Sequence, residues 1–465
     1  MGLTAILNIA RNALFAQQTA LQVMSNNVAN VNTKGYARQE AVLTEESVTM
    51  TDLGLLGNGV KVSSVMSYYD KFLEASVAKE NNSLTEQKTY ADYFSRLESI
   101  LDENNTNLAS NIDSFFSTWH DLSADPLSLT ARINASTAGV NLSSGIRNLY
   151  SELESVQTEV DNNILKEVQN INNILTSIAA LNGQIYTSGG AGGENSSFVN
   201  QRAQLLQELS GKLDIQYFED ADGGMTVMTS GGKALVDRES LYTLTAEKLN
   251  GSNFYSVTWN GNSANPVDIT GTIHGGSIKG LIDLRDNYVG GFMDDVNNLA
   301  ESIMNQVNDI HNTGYNMNGT TGIDFFKNLT QNFAAGFDIS DEIKSDARNI
   351  AVTSLASNTS DNDIALAIAD LGTASITIQG QATTYTDYTT SMASSAGSLS
   401  QNAQDLYEYH ENLMNVVQKQ RDSVSGVSID EEMSNLIKYQ YAYQAAARLI
   451  NVADTMMNTL LEIGR

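Results

Sequence analysis

Nine positions at the start of this chain recur at alternating steps of four and three: Leu3, Leu7, Ala10, Leu14, Gln17, Leu21, Met24, Val28 and Val31. Such spacing puts one apolar seam along a helix and calls for a partner helix over its whole length. A matching stripe closes the chain, with Met433, Leu436, Gln440, Tyr443, Ala447 and Ile450, shifting to Ala453, Met457 and Leu460 or Leu461. Each stripe carries one polar member, Gln17 or Gln440. Ser428 with Glu431 three residues later reads as a capping box opening the second helix. Helices of this kind are marginal alone. We therefore expect residues of about 1–40 and 425–465 to pair, and to become fully ordered only when copies assemble.

Composition narrows the function. The chain has 26 basic and 54 acidic residues, a balance of −28, which opposes nucleic-acid binding. Cysteine is absent, so thiol nucleophiles, disulfides and Cys-based zinc sites are all removed. Only Pro126 and Pro266 interrupt helix formation, which leaves room for long helices. No apolar run approaches the roughly 20 residues that span a bilayer, so no membrane insertion is expected. Arg11 breaks any secretory apolar core. The first 39 residues contain no Asp or Glu, against about 4.5 expected from 54 in 465, which suits a segment handled separately in export or docking.

Between the ends the chain reads as mainly α with a smaller β-rich part. "GLLGNGVKVSSV" predicts a turn entering a strand, and lacks the Lys-Ser/Thr pair of a phosphate loop. Helical periodicity covers Tyr69 to about His120. A longer helix, between Gly145 and Gly183, is predicted from Ile146, Leu149, Leu153, Val156, Val160, Ile164, Val168, Ile171, Leu175, Ile178, Leu181 and Ile185. The run of fours near Ile164 is a stutter in the repeat. "GGAGGENSS" breaks this helix, and 198–213 forms a return helix. Strand-like runs surround "DADGG", Asp220 to Gly224, and continue to about Ile273. Helix resumes over 278–311 and again over 396–423. These readings predict an elongated α+β chain in three parts. Residues 1–50 with 425–465 form a terminal coiled coil. Residues 51–212 with 275–330 and 396–424 form a helical rod-like domain. Residues 213–274 with 331–395 form an outer β-rich or mixed region.

Local chemistry is sparse. His120, His274, His311 and His410 lie far apart without metal-ligand spacing. "DADGG" lacks the third acidic position and closing Glu of a calcium loop, so a hairpin turn is the better reading. No nucleophile elbow or Cys–His pair is found. Neither an enzyme nor a cofactor is expected.

The stretch "SNNVANVNTKGYARQ" ends the first helix. Asn30 and Asn32 can bond the terminal carbonyls, Gly35 permits positive φ, and Tyr36 anchors the turn. A helix stop alone does not require so many specified residues. The pattern Asn27, Ala29, Asn30, Asn32, Thr33, Gly35 and Tyr36 resembles the N-terminal signature of the flagellar rod, hook and hook-associated axial proteins. Further segments resemble the hook-associated members at the hook–filament junction. These are 198–236, "GGSIKGLIDLRDNYV" with "NDIHNTGYNMNGTTGIDFF", "SLASNTSDNDIALAIADL", and the C-terminal "RDSVSGVSIDEEMSNLIKYQYAYQAAARLINVADTMMNTLL". Ser67 departs from the pattern, since relatives often place Arg there. The chain also reads as short for the family.

The resemblance implies a structural adaptor between hook and filament, exported by the flagellar type III route and found in the extracellular flagellum. Its implied partners are other copies in a ring, the hook protein on one side, the next hook-associated protein on the other, and an export chaperone at the C-terminal helix. The implied contact residues are the signature above and the stripes Leu3, Leu7, Leu14, Leu21, Met24, Val28, Met433, Leu436, Tyr443, Ala447, Ile450, Met457 and Leu461. Two alternatives stay open: another axial subunit, hook or distal rod, and an axial scaffold carrying a surface enzyme or adhesin region over 213–395. Residues 198–236 discriminate the first, because hook and rod subunits lack that helix-hairpin.

Overall fold

A computed structural model describes residues 2–33, 35–51, 54–102, 107–188, 196–249, 251–261, 266–356 and 361–463, with no side chain given at 2, 49, 51, 54–56 or 196. Lys34 of the signature and most of the glycine-rich break after 188 lie outside these residues. The described residues are dominated by helix, with short antiparallel strands between. The chain divides into two compact units, residues 1–86 with 166–278 and 409–465, and residues 87–165 with 279–408. The expected grouping of 213–274 with 331–395 is not how the chain divides, because each of these stretches packs into a different unit.

In the first unit, α1 (Gly2–Ala29) lies against the C-terminal helix, which spans Ile429–Ile463, and against a long hairpin of β1 (Gln39–Glu45) and β4 (Val60–Ser67). The small Ala20 and Ala41 let backbones approach, and Val23, Met24, Val62, Val65 and Tyr439 fill the space around them. The pair β2 (Thr49–Thr51) and β3 (Gly54–Leu56) extends the far end of this hairpin. Helix α2 (Lys71–Leu101) begins here, with Asp70 accepting from the Phe72 and Leu73 amides at its start.

Two further helices follow, α3 (Leu108–Ala124) and α4 (Leu129–Thr187). The helical periodicity read over Tyr69 to about His120 is carried by two helices, α2 and α3. The α4 helix starts sixteen residues before Gly145, whose lack of a side chain makes room for Asn111 rather than stopping the helix. All twelve stripe residues predicted between Ile146 and Ile185 are buried, as their spacing demands. The return helix α5 spans Ser196–Lys212.

Strands β5 (Ile215–Glu219), β6 (Met225–Thr229), β7 (Ala234–Asp237) and β8 (Ser240–Leu241) form an antiparallel sheet in that order, leaving β5 at an edge. The Asp220 carboxylate accepts from the Asp222 and Gly224 amides, and Gly223 takes φ 82°, so "DADGG" is a hairpin turn. Strands β9 (Thr243–Glu247), β10 (Ser256–Asn260) and β11 (Val267–Asp268) make a second small sheet.

The second unit centres on an aromatic core of Phe115, Trp119, Phe325, Phe326 and Phe337, with ring centroids 4.6–6.2 Å apart for the touching pairs. The helix predicted from Ile278 is interrupted: α6 (Ser277–Asp283) passes through a π-helical turn over Leu284–Val289 into α7 (Gly290–His311). Buried Arg285 in that turn is held by Asp161 at 2.7 Å. After two short helical turns, Phe333–Gly336 and Asp341–Ser345, come α8 (Asp363–Asp370), a small hairpin of Ile376–Ile378 with Gln381–Thr383, and the long helices α9 (Tyr385–Ser425) and α10 (Ile429–Ile463), with α9 starting eleven residues before the predicted Ala396.

Candidate assembly site

The asparagine-rich signature closes α1 and brings both chain ends to one place. Asn27 is fully buried and uses its whole hydrogen-bonding capacity. Its amide donates to the Gln39 carbonyl at 2.8 Å and to the Glu432 carboxylate at 3.0 Å. Its oxygen accepts from the Gln39 amide and the Tyr36 hydroxyl, each at 3.0 Å. One side chain therefore joins α1, β1 and α10.

Glu432 is also fully buried, and its second oxygen takes the Arg38 Nε at 2.7 Å. Glu431, read as the capping-box carboxylate, lies 3.6 Å from the same guanidinium. Burial and the Glu432 charge push the Tyr36 hydroxyl up to about 12, so it stays protonated and donates. Asn30 donates to the Asn26 carbonyl at 2.9 Å, as expected of a residue ending the helix, and accepts from the Thr33 hydroxyl. Gly35 adopts φ 78°, where a side chain would be strained and would press on Gln204. Its carbonyl accepts from Arg421 Nη2 at 2.7 Å, while Arg421 Nε pairs with Glu74 at 2.8 Å. The signature thus ties α1, α2, α9 and α10 together and lines a hollow of about 240 Å³. Asn32, Thr33 and Ala29 face outward.

The terminal stripes are placed as follows. Leu3, Leu7, Leu14, Leu21 and Val28 are half-buried and Met24 is buried. On α10, Leu436, Ala447, Ile450 and Met457 are half-buried. Met433, Tyr443 and Leu461 are exposed in the single chain, at 45%, 39% and 66%. The seam keeps Leu436, Ile450, Ala453 and Met457 but uses Glu432, Tyr439 and Ala446 where Met433, Gln440 and Ala447 were expected. The cause is Glu432. Its bonds to Asn27 and Arg38 fix the rotation of α10, and a charged residue does not enter an apolar pattern. Met433 joins the other exposed apolar residues of α10, Ile429, Ile437, Tyr441, Leu449, Val452, Met456, Leu460 and Ile463, while Tyr443, one heptad from Leu436 and Ile450, stays exposed beside the seam.

Sequence reading missed Glu74, Arg421 and Glu432. Arg421 and Glu432 lie in the "RDSVSG" and "DEEM" runs and Glu74 in "KFLEAS", but nothing in their spacing marked them as buried pairs. Among the described residues no group of three His, Asp or Glu is placed to hold a metal, and no helix is long and apolar enough to cross a membrane.

This arrangement, both chain ends locked at one asparagine-rich turn, is formed by the two segments of the chain that match axial proteins of the bacterial flagellum. Residues 7–36 match the model of the flagella basal body rod protein, and residues 418–463 match the C-terminal model of the flagellar basal body rod FlgEFG proteins. Residues 94–326 match the helical domain of the flagellar hook-associated protein FlgK, and the chain belongs to that family. It is 28% identical to flagellar hook-associated protein 1 of Bacillus subtilis over 98% of this chain and 97% of that protein. The Escherichia coli protein of that name is 24% identical over 550 residues, covering 99% of this chain and all of its own. That alignment is longer than the 465 residues here, in keeping with the expected short chain. The structure of the flagellar hook junction protein FlgK from Burkholderia pseudomallei superposes with a TM-score of 0.67 at 14% identity, covering 75% of this chain and all of that one.

Proposed function

We propose that this chain is the structural adaptor subunit between flagellar hook and filament. Copies pack side by side in a ring, with hook protein on one side and the next hook-associated protein on the other. The subunit leaves the cell through the flagellar type III apparatus, its C-terminal helix meeting an export chaperone beforehand. The observation that carries this reading is the exposed apolar surface of α10. α1 packs along that helix, yet Ile437, Tyr441, Leu449, Val452, Met456 and Leu460 remain exposed, the last three in a groove shared with Leu3 of α1. So many exposed large apolar residues on a helix that already has a partner call for a second partner. An assembled polymer supplies one at every copy, and its members share the sequence-specific turn that holds α10 in register. Family membership supports the junction as the place of assembly.

The test is complementation of a strain lacking the gene. Tyr441→Asp with Leu449→Asp alters two exposed positions, so the purified double variant keeps its helical circular dichroism. Cells carrying it should make hooks, lose filaments and release flagellin into the medium. Normal filaments from that variant would overturn the reading.

A further inference from the structure

Strand β5 ends its sheet, and its free edge faces a cleft. Asp220 N bonds Gly224 O and Ser230 N bonds Asp214 O, so the even-numbered residues of this register turn their backbone toward β6. Ile215, Tyr217 and Glu219 therefore turn their N–H and C=O groups to the open edge, where none has a backbone partner among the described residues. The whole strand, Ile215 to Glu219, lines a cleft of about 410 Å³ whose opposite wall is the start of α2, with Ala75, Ala78 and Lys79. An open edge of this kind is a template for an added strand.

We propose that this cleft receives the segment Glu45–Thr51 of a second copy, which adds as an extra strand on the β5 edge; the inference rests on the assembly reading above. Three observations select this occupant. Val48 and Met50 are exposed at 54% and 84%, two apolar side chains at strand spacing on a short hairpin that covers neither of them. Glu45 is exposed beside them, and Lys79 on the α2 wall makes no ion pair among the described residues, so the charges match in a chain that is otherwise acidic. The segment cannot fill its own cleft. The same side of the molecule that lines this region includes Val65, Met66 and Ser67, at the end of the β1–β4 hairpin where Gln39 pairs with Ser67. The segment leaves from the other end, where Glu45 pairs with Val60, seven residues or roughly 23 Å away. Arm and cleft are different surfaces, so the contact is head-to-tail, the kind that generates rings or helices rather than closed pairs.

The absence of cysteine makes the contact directly testable. Two differently tagged copies, one Met50→Cys and one Ala75→Cys, are co-expressed, and isolated flagella are treated with a short bismaleimide. The expected result is a mixed dimer carrying both tags, absent when either variant is expressed alone. Flagella that contain both copies but give no mixed dimer would overturn this contact and leave the adaptor reading standing. Binding to the full-length monomer decides the same point without assembly. A labelled peptide of residues 44–51 should bind saturably, and Ala75→Trp, an exposed wall position, should weaken it at least tenfold. No saturable binding, or equal binding by the Trp variant, would equally rule the contact out.

Discussion

At the scale of single residues, the turn after α1 depends on polar groups that are buried because they are completely paired. Glu432→Ala would leave the Arg38 guanidinium and one Asn27 donor facing a void, and breaking a buried pair from one side costs on the order of 3 kcal/mol. We expect α10 in that variant to be cut by protease far faster than α9, while the fluorescence of Trp119 in the other unit is unchanged. His311 makes a second prediction. It is fully buried, its Nδ1 2.7 Å from the Ile323 carbonyl and its Nε2 accepting from the Ala351 amide at 2.9 Å. Nδ1 therefore carries the proton of a neutral ring. Burial, with the nearby Arg132 charge, pulls its pKa from 6.5 down to about 4. The unfolded chain takes up this proton first, so the His311 contribution is intact above about pH 6.5 and fades as pH falls toward 4. The total loss is about 3 kcal/mol. Denaturant titrations in a Trp259→Phe background, read through Trp119, should show this slope, and His311→Gln should flatten it. None of these pairs was legible in the sequence. A lone His or Glu gives no local sign of burial, which depends on partners 12 to 405 positions away. The turn itself was legible, because Gly35 and the asparagines act on backbone atoms within a few residues.

At the scale of elements, periodicity revealed what repeats and missed what is interrupted. Every predicted stripe residue of α4 is buried because twelve apolar positions in step leave one rotation that covers them. On α10 two rotations compete. The exposed surface has as many large apolar residues as the seam, and the Ala445–Ala447 run suits either. A buried ion pair decided between them. The π-helical turn at Leu284–Val289 was equally hidden, since one extra residue in a turn leaves the average spacing nearly unchanged. The two classes of helix should also differ in dynamics. α4 is covered along its stripe, whereas α10 has three buried residues, Glu432, Ala446 and Ala453. Amide exchange on the purified monomer should therefore be much faster across α1 and α10 than across residues 146–185, with the difference disappearing at the termini in assembled flagella. Equal protection in the monomer would contradict the expectation that these ends need neighbours.

At the scale of the whole molecule, charge and connectivity set the terms of assembly. A net charge of −28 makes copies repel, and the repulsion is long-ranged only at low ionic strength. Sedimentation of the monomer at high concentration should show self-association strengthening as salt rises from about 20 to about 200 mM, where the screening length shortens to under 10 Å. An assembly held chiefly by surface ion pairs would respond in the opposite sense. The grouping of helices and strands by type, natural from sequence, failed to give the two units, because each unit interleaves stretches hundreds of residues apart. That interleaving has a temporal consequence. The first unit needs segments 1–86, 166–278 and 409–465, and the lock at Asn27 closes only on Glu432. A polypeptide threaded through a narrow passage one end at a time cannot shut this lock midway: whichever extremity emerges first waits, clasp open, for the other.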